Sequence, residues 1–165
     1  MSASVNSAST YRTPFEIADR FLDRAPVDLD GMATALGVAV KRDVEMPAGV
    51  SGHITRTRAG YEIAVNASDP PARQRFTLAH EIAHYLLHRN LLDGGIEDDR
   101  MYRSRLGGFV ERQANHLAVQ LLMPANLVRF ACQAGATDVA RLAQAFGVSD
   151  QAMQIRLREL RLDGQ

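Results

Sequence analysis

Cysteine is all but missing from this sequence. Cys132 is the only one, so no disulfide can close within the chain, as befits a reducing compartment. It lies among Phe130, Ala131 and Ala134, company that suits a small apolar filler rather than a nucleophile. Net charge is missing too: nineteen basic residues cancel nineteen acidic ones. No global field therefore draws the chain to nucleic acid or to an anionic membrane. No apolar run approaches the ~20 residues that span a bilayer, and no cationic stretch followed by an apolar one opens the chain. A cytoplasmic protein is expected. Internal repeats are absent as well. What remains is 165 residues, 46% of them hydrophobic, enough for one globular domain with a core of its own.

Read along its length, the chain divides into three parts. Residues 1–13 are rich in Ser, Ala, Asn and Thr and read as a disordered tail. Residues 14–128 carry the elements of a core, and residues 129–165 read as a helical subdomain packed on it. A first helix is expected from Pro14 to about Asp23, capped by Thr13, with Phe15, Ala18, Phe21 and Leu22 on one face. A second runs from Asp28 to Leu36 and stops at Gly37. Three strand-like runs follow, Val38–Val44, Val50–Thr57 and Tyr61–Asn66, with Ala59-Gly60 as the hairpin turn between the last two. Together with the helices they predict an α+β fold holding a small antiparallel sheet.

A long helix comes next, with Ser68 and Asp69 as cap candidates and Pro70 and Pro71 in its first turn. Phe76, Ala79, Ala83, Leu86 and Leu87 recur at helical spacing and predict a largely buried element. Inside it stands His80-Glu81-Ile82-Ala83-His84. Histidines four apart share a helical face, with Cβ atoms about 6 Å apart, so both rings can converge on one ion. Glu81 flanks that face and is placed to act as a general base on a water held there. Two buried imidazoles without partners would be costly. The pattern therefore names a chemistry: metal-assisted hydrolysis.

A catalytic zinc needs a third protein ligand and one open position. Glu111, Ala114/Asn115, Ala118 and Leu121/Leu122 trace one face of a downstream helix, and its small residues permit close approach of a second helix. Glu111 is the candidate ligand; the alternative is a helix-start carboxylate favoured by the dipole. Asn115 stands one turn further along that face, where its amide oxygen could accept the distal N–H of a ligand histidine.

These residues carry a resemblance. The run Phe76 to His88, together with Glu111-x-x-Ala114-Asn115 and Leu121-Leu122-Met123-Pro124, is similar to the ImmA/IrrE family of bacterial metallopeptidases. Ala25 to Asp30, Met32-Ala33, Leu36-Gly37-Val38 and Gly60 to Asn66 extend the likeness to roughly residues 14–160. The resemblance implies a zincin-like core, with His80, His84 and Glu111 as metal ligands and Glu81 as catalytic base. It also implies a substrate, since family members of known role cut a helix-turn-helix transcriptional repressor, in stress or mobile-element regulation. Two histidines and a carboxylate suit Zn2+, although Mn2+ or Fe2+ fit the same set.

Other residues around the motif invite narrower readings. His88 extends the imidazole face to the helix end, in a dipole or ligand-supporting role. His53 lies on a strand near the cleft, and an edge strand there could bind extended peptide by backbone pairing. The tetrahedral oxyanion of amide hydrolysis calls for a donor, for which Tyr85, Tyr102, Arg103 and His116 are equal candidates. Leu91–Gly108, polar and glycine-rich, reads as a loop suited to a substrate lid.

The last third supports a rival. Val139 to Ser149, followed by Met153, Leu157 and Leu160, resembles a helix-turn-helix turning at Gly147 and capped by Ser149. Gln151, Gln154, Arg156 and Arg158 are the residues that would meet DNA. A non-catalytic regulatory or antitoxin-like protein, binding DNA or a protein partner through these helices, is the alternative. Residues 129–165 hold five Arg against three Asp and one Glu, a thin balance for a fold that must neutralise phosphates.

Overall fold

The computed structural model of the chain describes residues 12–93, 107–136 and 138–163. The tail assigned to residues 1–13 thus falls outside it except for Arg12 and Thr13. So does most of the proposed lid, together with Tyr102 and Arg103. The described ends of that lid segment are helical rather than looped.

Helix α1 (Pro14–Asp19) opens on a reciprocal cap. The Glu16 N–H donates to Thr13 Oγ1, and the Thr13 N–H donates to the Glu16 carboxylate. It ends earlier than its apolar spacing predicts. Phe21 and Leu22 close tight turns onto Ala18 and Asp19 carbonyls instead of extending the helix, and both pack against the core from there. Helix α2 (Leu29–Ala35) is capped by Asp28, which accepts from Gly31 N–H at 2.9 Å.

The sheet comprises β1 (Val38–Val44), β2 (Gly52–Thr57) and β3 (Gly60–Asn66), in the order β1-β3-β2. It is mixed, which corrects the antiparallel sheet expected from sequence. Strands β2 and β3 form the antiparallel hairpin, but β1 pairs with β3 in parallel. The reason is topological: β3 slots between the two earlier strands, and consecutive strands β1 and β2 do not pair. The hairpin turn also shifts by one residue, since Gly60 already pairs with Thr57. Central β3 buries Tyr61, Ile63 and Val65 on one face and Ala64 and Asn66 on the other. Sequence alternation anticipates only the first of those faces.

Helix α3 (Pro71–Asp93) runs across the sheet. Neither Ser68 nor Asp69 caps it by a side-chain hydrogen bond among the described residues. Proline at its start supplies the fixed backbone angle instead, and the Pro70 carbonyl accepts from Gln74 N–H. Helix α4 (Gly107–Leu122) packs along α3, with Ala79 and Ala83 of one and Ala114 and Ala118 of the other fully buried. Helices α5 (Ala125–Gln133), α6 (Val139–Phe146) and α7 (Asp150–Glu159) complete seven helices among the described residues. Gly147, at φ 66°, ends α6, and Ser149 Oγ caps α7 by accepting from Ala152 N–H.

Leu142, Phe146, Met153 and Leu157 of the last two helices belong to the same core cluster as Leu78, Ile82 and Leu122. Two arginines fasten this end. Arg156 is buried, and its Nε donates to the Met123 carbonyl at 3.0 Å. Arg75 donates to the Val27 carbonyl at 2.9 Å, and burial lowers its pKa from the usual guanidinium range. Gly147 fits against this guanidinium, for a Cβ there would lie 2.7 Å from Arg75 Nε.

The other end of α3 is tied to the sheet. Asp93 accepts a hydrogen bond from the Tyr61 hydroxyl and an ion pair from Arg56 at 3.0 Å. Arg89 lies over the rings of Tyr61 and Tyr85. Burial, and then the hydrogen bond to Asp93, raise the Tyr61 phenol above its ordinary 10.0, with Arg89 opposing.

Two measurements follow from these contacts. A Cβ at Gly52 would meet Thr77 Cγ2 at 2.4 Å and the Ala64 carbonyl at 2.6 Å, so Gly52→Ala is expected to lower urea-unfolding stability by about 1–3 kcal/mol. A phenol with a higher pKa folded than unfolded stabilises the fold below about pH 10 and loses that contribution as pH rises through the folded value. Urea midpoints at about pH 8 and about pH 10.5 should therefore diverge less in Tyr61→Phe than in the parent.

Candidate metal centre

Why do His80 and His84 face the same point? They sit one turn apart on the side of α3 that α4 covers, and Glu111 opens the second turn of α4. The close packing of the two helices lets the Glu111 carboxylate reach across. His80 Nε2 lies 3.0 Å from His84 Nε2, and the Glu111 oxygens lie 3.2 and 3.3 Å from the two rings. The rings are mostly covered, at 15% and 12% exposure, whereas the carboxylate is 56% exposed. One end of the triangle is thus open to solvent and to a substrate.

The donor set fits a small divalent ion. A tetrahedron with bonds of about 2 Å has edges of about 3.3 Å. The two imidazole nitrogens are 3.0 Å apart, and they lie 3.2 and 3.3 Å from different oxygens of Glu111. One ligand atom from each residue gives a set within 4.8 Å of one another. Among the described residues these three form a group of His, Cys, Asp or Glu able to hold a metal. Chemistry agrees with geometry: two neutral imidazole lone pairs and a carboxylate repel one another at such distances unless a proton or a cation stands among them. His80 Nδ1 is buried with no hydrogen-bond partner among the described residues, a polar atom that a fully assembled site would need to satisfy.

Glu81 is buried and lines the same groove, a cavity of about 330 Å³ bordered by Gly52, His53, Ile54, His88, Gly107 and Val110 as well as the triad. A second recess on the far side of Gly52 shares His80 and Glu81 and reaches Arg73 and Asn115. Arg73 Nε donates to Ser51 Oγ at 3.1 Å at that end.

Asn115 lines this recess, yet no hydrogen bond joins it to either ring among the described residues. His84 is held otherwise: its Nδ1 lies 3.1 Å from His88 Nδ1, and His88 Nε2 lies 3.1 Å from Gln113 Oε1. Gln113 went unnoticed in the sequence because helical periodicity puts it off the Glu111 face. Gly52 was missed as well, since a required close approach leaves no mark in composition.

The remaining candidates separate cleanly. His116 is exposed and pairs with Gln120 on α4. The Tyr85 hydroxyl donates to the Leu36 carbonyl at 3.2 Å within the core, away from the groove. His53 borders the groove from β2. Arg156, one of the residues expected to meet DNA, is committed to the interior.

Comparison with known proteins adds three findings. Residues 33–158 match the model of the peptidase M78 family, described as the IrrE N-terminal-like domain. The radiation response metalloprotease IrrE of Deinococcus deserti is 44% identical over 68 residues, which make up 40% of this chain and 24% of that protein. A Mycobacterium tuberculosis transcriptional regulator is similar in structure, with a TM-score of 0.61 at 20% identity, covering 87% of this chain and 45% of that one. The chain thus spans less than half the length of that regulator, and its match to IrrE spans about a quarter of that protein. The structural likeness is one of fold. No described helix is long and apolar enough to cross a membrane.

If the triad holds the ion, Glu111→Gln should weaken zinc binding by at least 10-fold while leaving the fold intact, because a charged donor becomes a neutral one. Competition against a colorimetric chelator measures it, with circular dichroism as the check on folding.

Proposed function

The chain belongs to the ImmA/IrrE family, and from that premise we propose that it is a metal-dependent endopeptidase of zincin-like build. The observation that carries the reading is the convergence of His80 Nε2, His84 Nε2 and the Glu111 carboxylate within 3.3 Å of one another, beside a buried Glu81. These three side chains would hold the ion, with zinc favoured and manganese or iron admissible. When bound, such an ion supplies Lewis acidity, bringing the pKa of a water towards neutral and polarising the scissile carbonyl.

The chain's own residues do the rest. Glu81 takes the proton of the attacking water at its carboxylate and returns it to the departing amide nitrogen. The groove excludes bulk solvent on the α3 side and leaves the Glu111 side open. Asn115, which lines the same recess as His80, is the acceptor proposed for the His80 Nδ1 proton.

Strand β2 is the natural track for a substrate. Ser51 O accepts from Asn66 N–H at 2.7 Å, so alternate residues 51, 53 and 55 turn their backbone groups towards β3. Gly52 and Ile54, which border the groove, then direct theirs to the free edge. Among the described residues no strand lies beyond β2. An extended peptide paired there would carry its amide bond past His80 and Glu81.

The substrate proposed is a helix-turn-helix repressor encoded nearby, in a stress or mobile-element circuit within the cytoplasm. The rival, DNA binding through α6 and α7, is weaker than the sequence alone implies. With Arg156 turned inward and paired with Glu159, one candidate DNA contact is lost, and four arginines remain in residues 129–165 against three aspartates, a surplus of one charge for phosphate binding.

Glu81→Gln separates chemistry from binding. The ligands remain, so zinc affinity should stay within about 2-fold of the parent, while cleavage of the neighbouring regulator should fall by about 10²–10⁴-fold. Gel-based cleavage rates and chelator competition read the two quantities. Cleavage at the parental rate would overturn the assignment of Glu81.

A further inference from the structure

The approach of His84 to His88 and of His88 to Gln113 allows a tautomer assignment. Gln113 Oε1 only accepts, so His88 Nε2 carries the proton that lies between them at 3.1 Å. A neutral His88 then has a lone pair on Nδ1, and His84 Nδ1 must donate across the 3.1 Å that separates the two. His84 Nε2 is left unprotonated, facing His80 Nε2 and Glu111. The opposite amide orientation would reverse the chain of donors. Gln113 would then donate, His88 would pass its Nδ1 proton towards His84, and His84 Nε2 would carry the proton that blocks an ion.

Local structure is built around this line. The helical backbone breaks at His88, with φ −123° and ψ 24°, although neither proline nor glycine is near. His88 is 8% exposed, so its ring has little access to water as an alternative partner. Gln113 comes from α4, the helix that also brings Glu111. One element therefore delivers both a metal ligand and the group that sets the proton on another ligand.

We infer that His88 and Gln113 are positioning residues that hold His84 in the Nδ1–H tautomer and keep its Nε2 lone pair aimed at the cation site. The inference rests on the metal-binding reading and deepens it. His88 and Gln113 do not themselves bind the ion, and neither touches substrate. Their function is to prepare the site before an ion arrives, so the cost of orienting His84 is met in the fold.

The test uses the full chain and zinc alone. In metal-free protein labelled with 15N-histidine, long-range proton–nitrogen correlation should show His84 already as the Nδ1–H tautomer. Gln113→Ala and His88→Ala should weaken zinc binding by about 10–100-fold, as measured by chelator competition. Gln113→Glu, an acceptor that cannot reverse, should bind at least as tightly as the parent. A merely packed Gln113 would not give that split between Ala and Glu. The inference is overturned if metal-free His84 carries its proton on Nε2, or if both alanine variants bind within 2-fold of the parent. A parent chain whose zinc binding is untouched by His80→Ala would instead sink the metal reading itself, and this inference with it.

Discussion

Two imidazole nitrogens 3.0 Å apart, each within 3.3 Å of an oxygen of one carboxylate, form the constraint on which the fold turns. Left alone, two imidazoles and a carboxylate would separate. They stay together because α3 and α4 pack against each other, with Ala79, Ala83, Ala114 and Ala118, side chains too small to hold backbones apart, fully buried. The sheet acts on the same helix from its other side. Gly52 lets β2 come against Thr77, which sets the free edge of the sheet next to His80 and Glu81. Both ends of α3 are then fixed, by Arg75 at the first and by the Tyr61–Asp93–Arg56 contacts at the second. A long helix so anchored keeps its ligand face in register with Glu111.

Polar side chains carry more of this architecture than the hydrophobic pattern implies. Arg156 crosses the interior to the Met123 carbonyl, satisfying an acceptor at the end of α4 while joining the last helix to the core that carries His80, His84 and Glu111. Arg75 does similar work between Val27 and the turn at Gly147. The C-terminal helices thus share a core with the groove, and a force applied to them reaches α3 and α4 directly. Of the arginines in this segment, Arg156 is therefore unavailable to a DNA-reading face.

How much of this was visible in the residues alone? The shared face of His80 and His84 was, because a period of 3.6 sets residues four apart on one side whatever the surroundings. Glu111 was visible as a candidate because the small residues of its helix lie on the same side as its carboxylate. The capping of α1 by Thr13 and of α7 by Ser149 was local chemistry and therefore readable, whereas Asp28, read as the first residue of α2, proves to be its cap. The parallel pairing of β1 with β3 was not, since strand order depends on contacts distant in sequence. The early end of α1 escaped as well, because Phe21 and Leu22 reach the core from turns as readily as from a helix. Gln113 and Arg156 were hidden for a common reason: long polar side chains cross between elements, and helical periodicity assigns them to the surface.

Anomalous diffraction from a zinc-loaded crystal of this chain measures the central claim most directly. The account predicts a single strong peak within about 2.2 Å of His80 Nε2, His84 Nε2 and a Glu111 oxygen. A peak elsewhere, or zinc held by the histidines with the Glu111 carboxylate turned out to solvent, would contradict it.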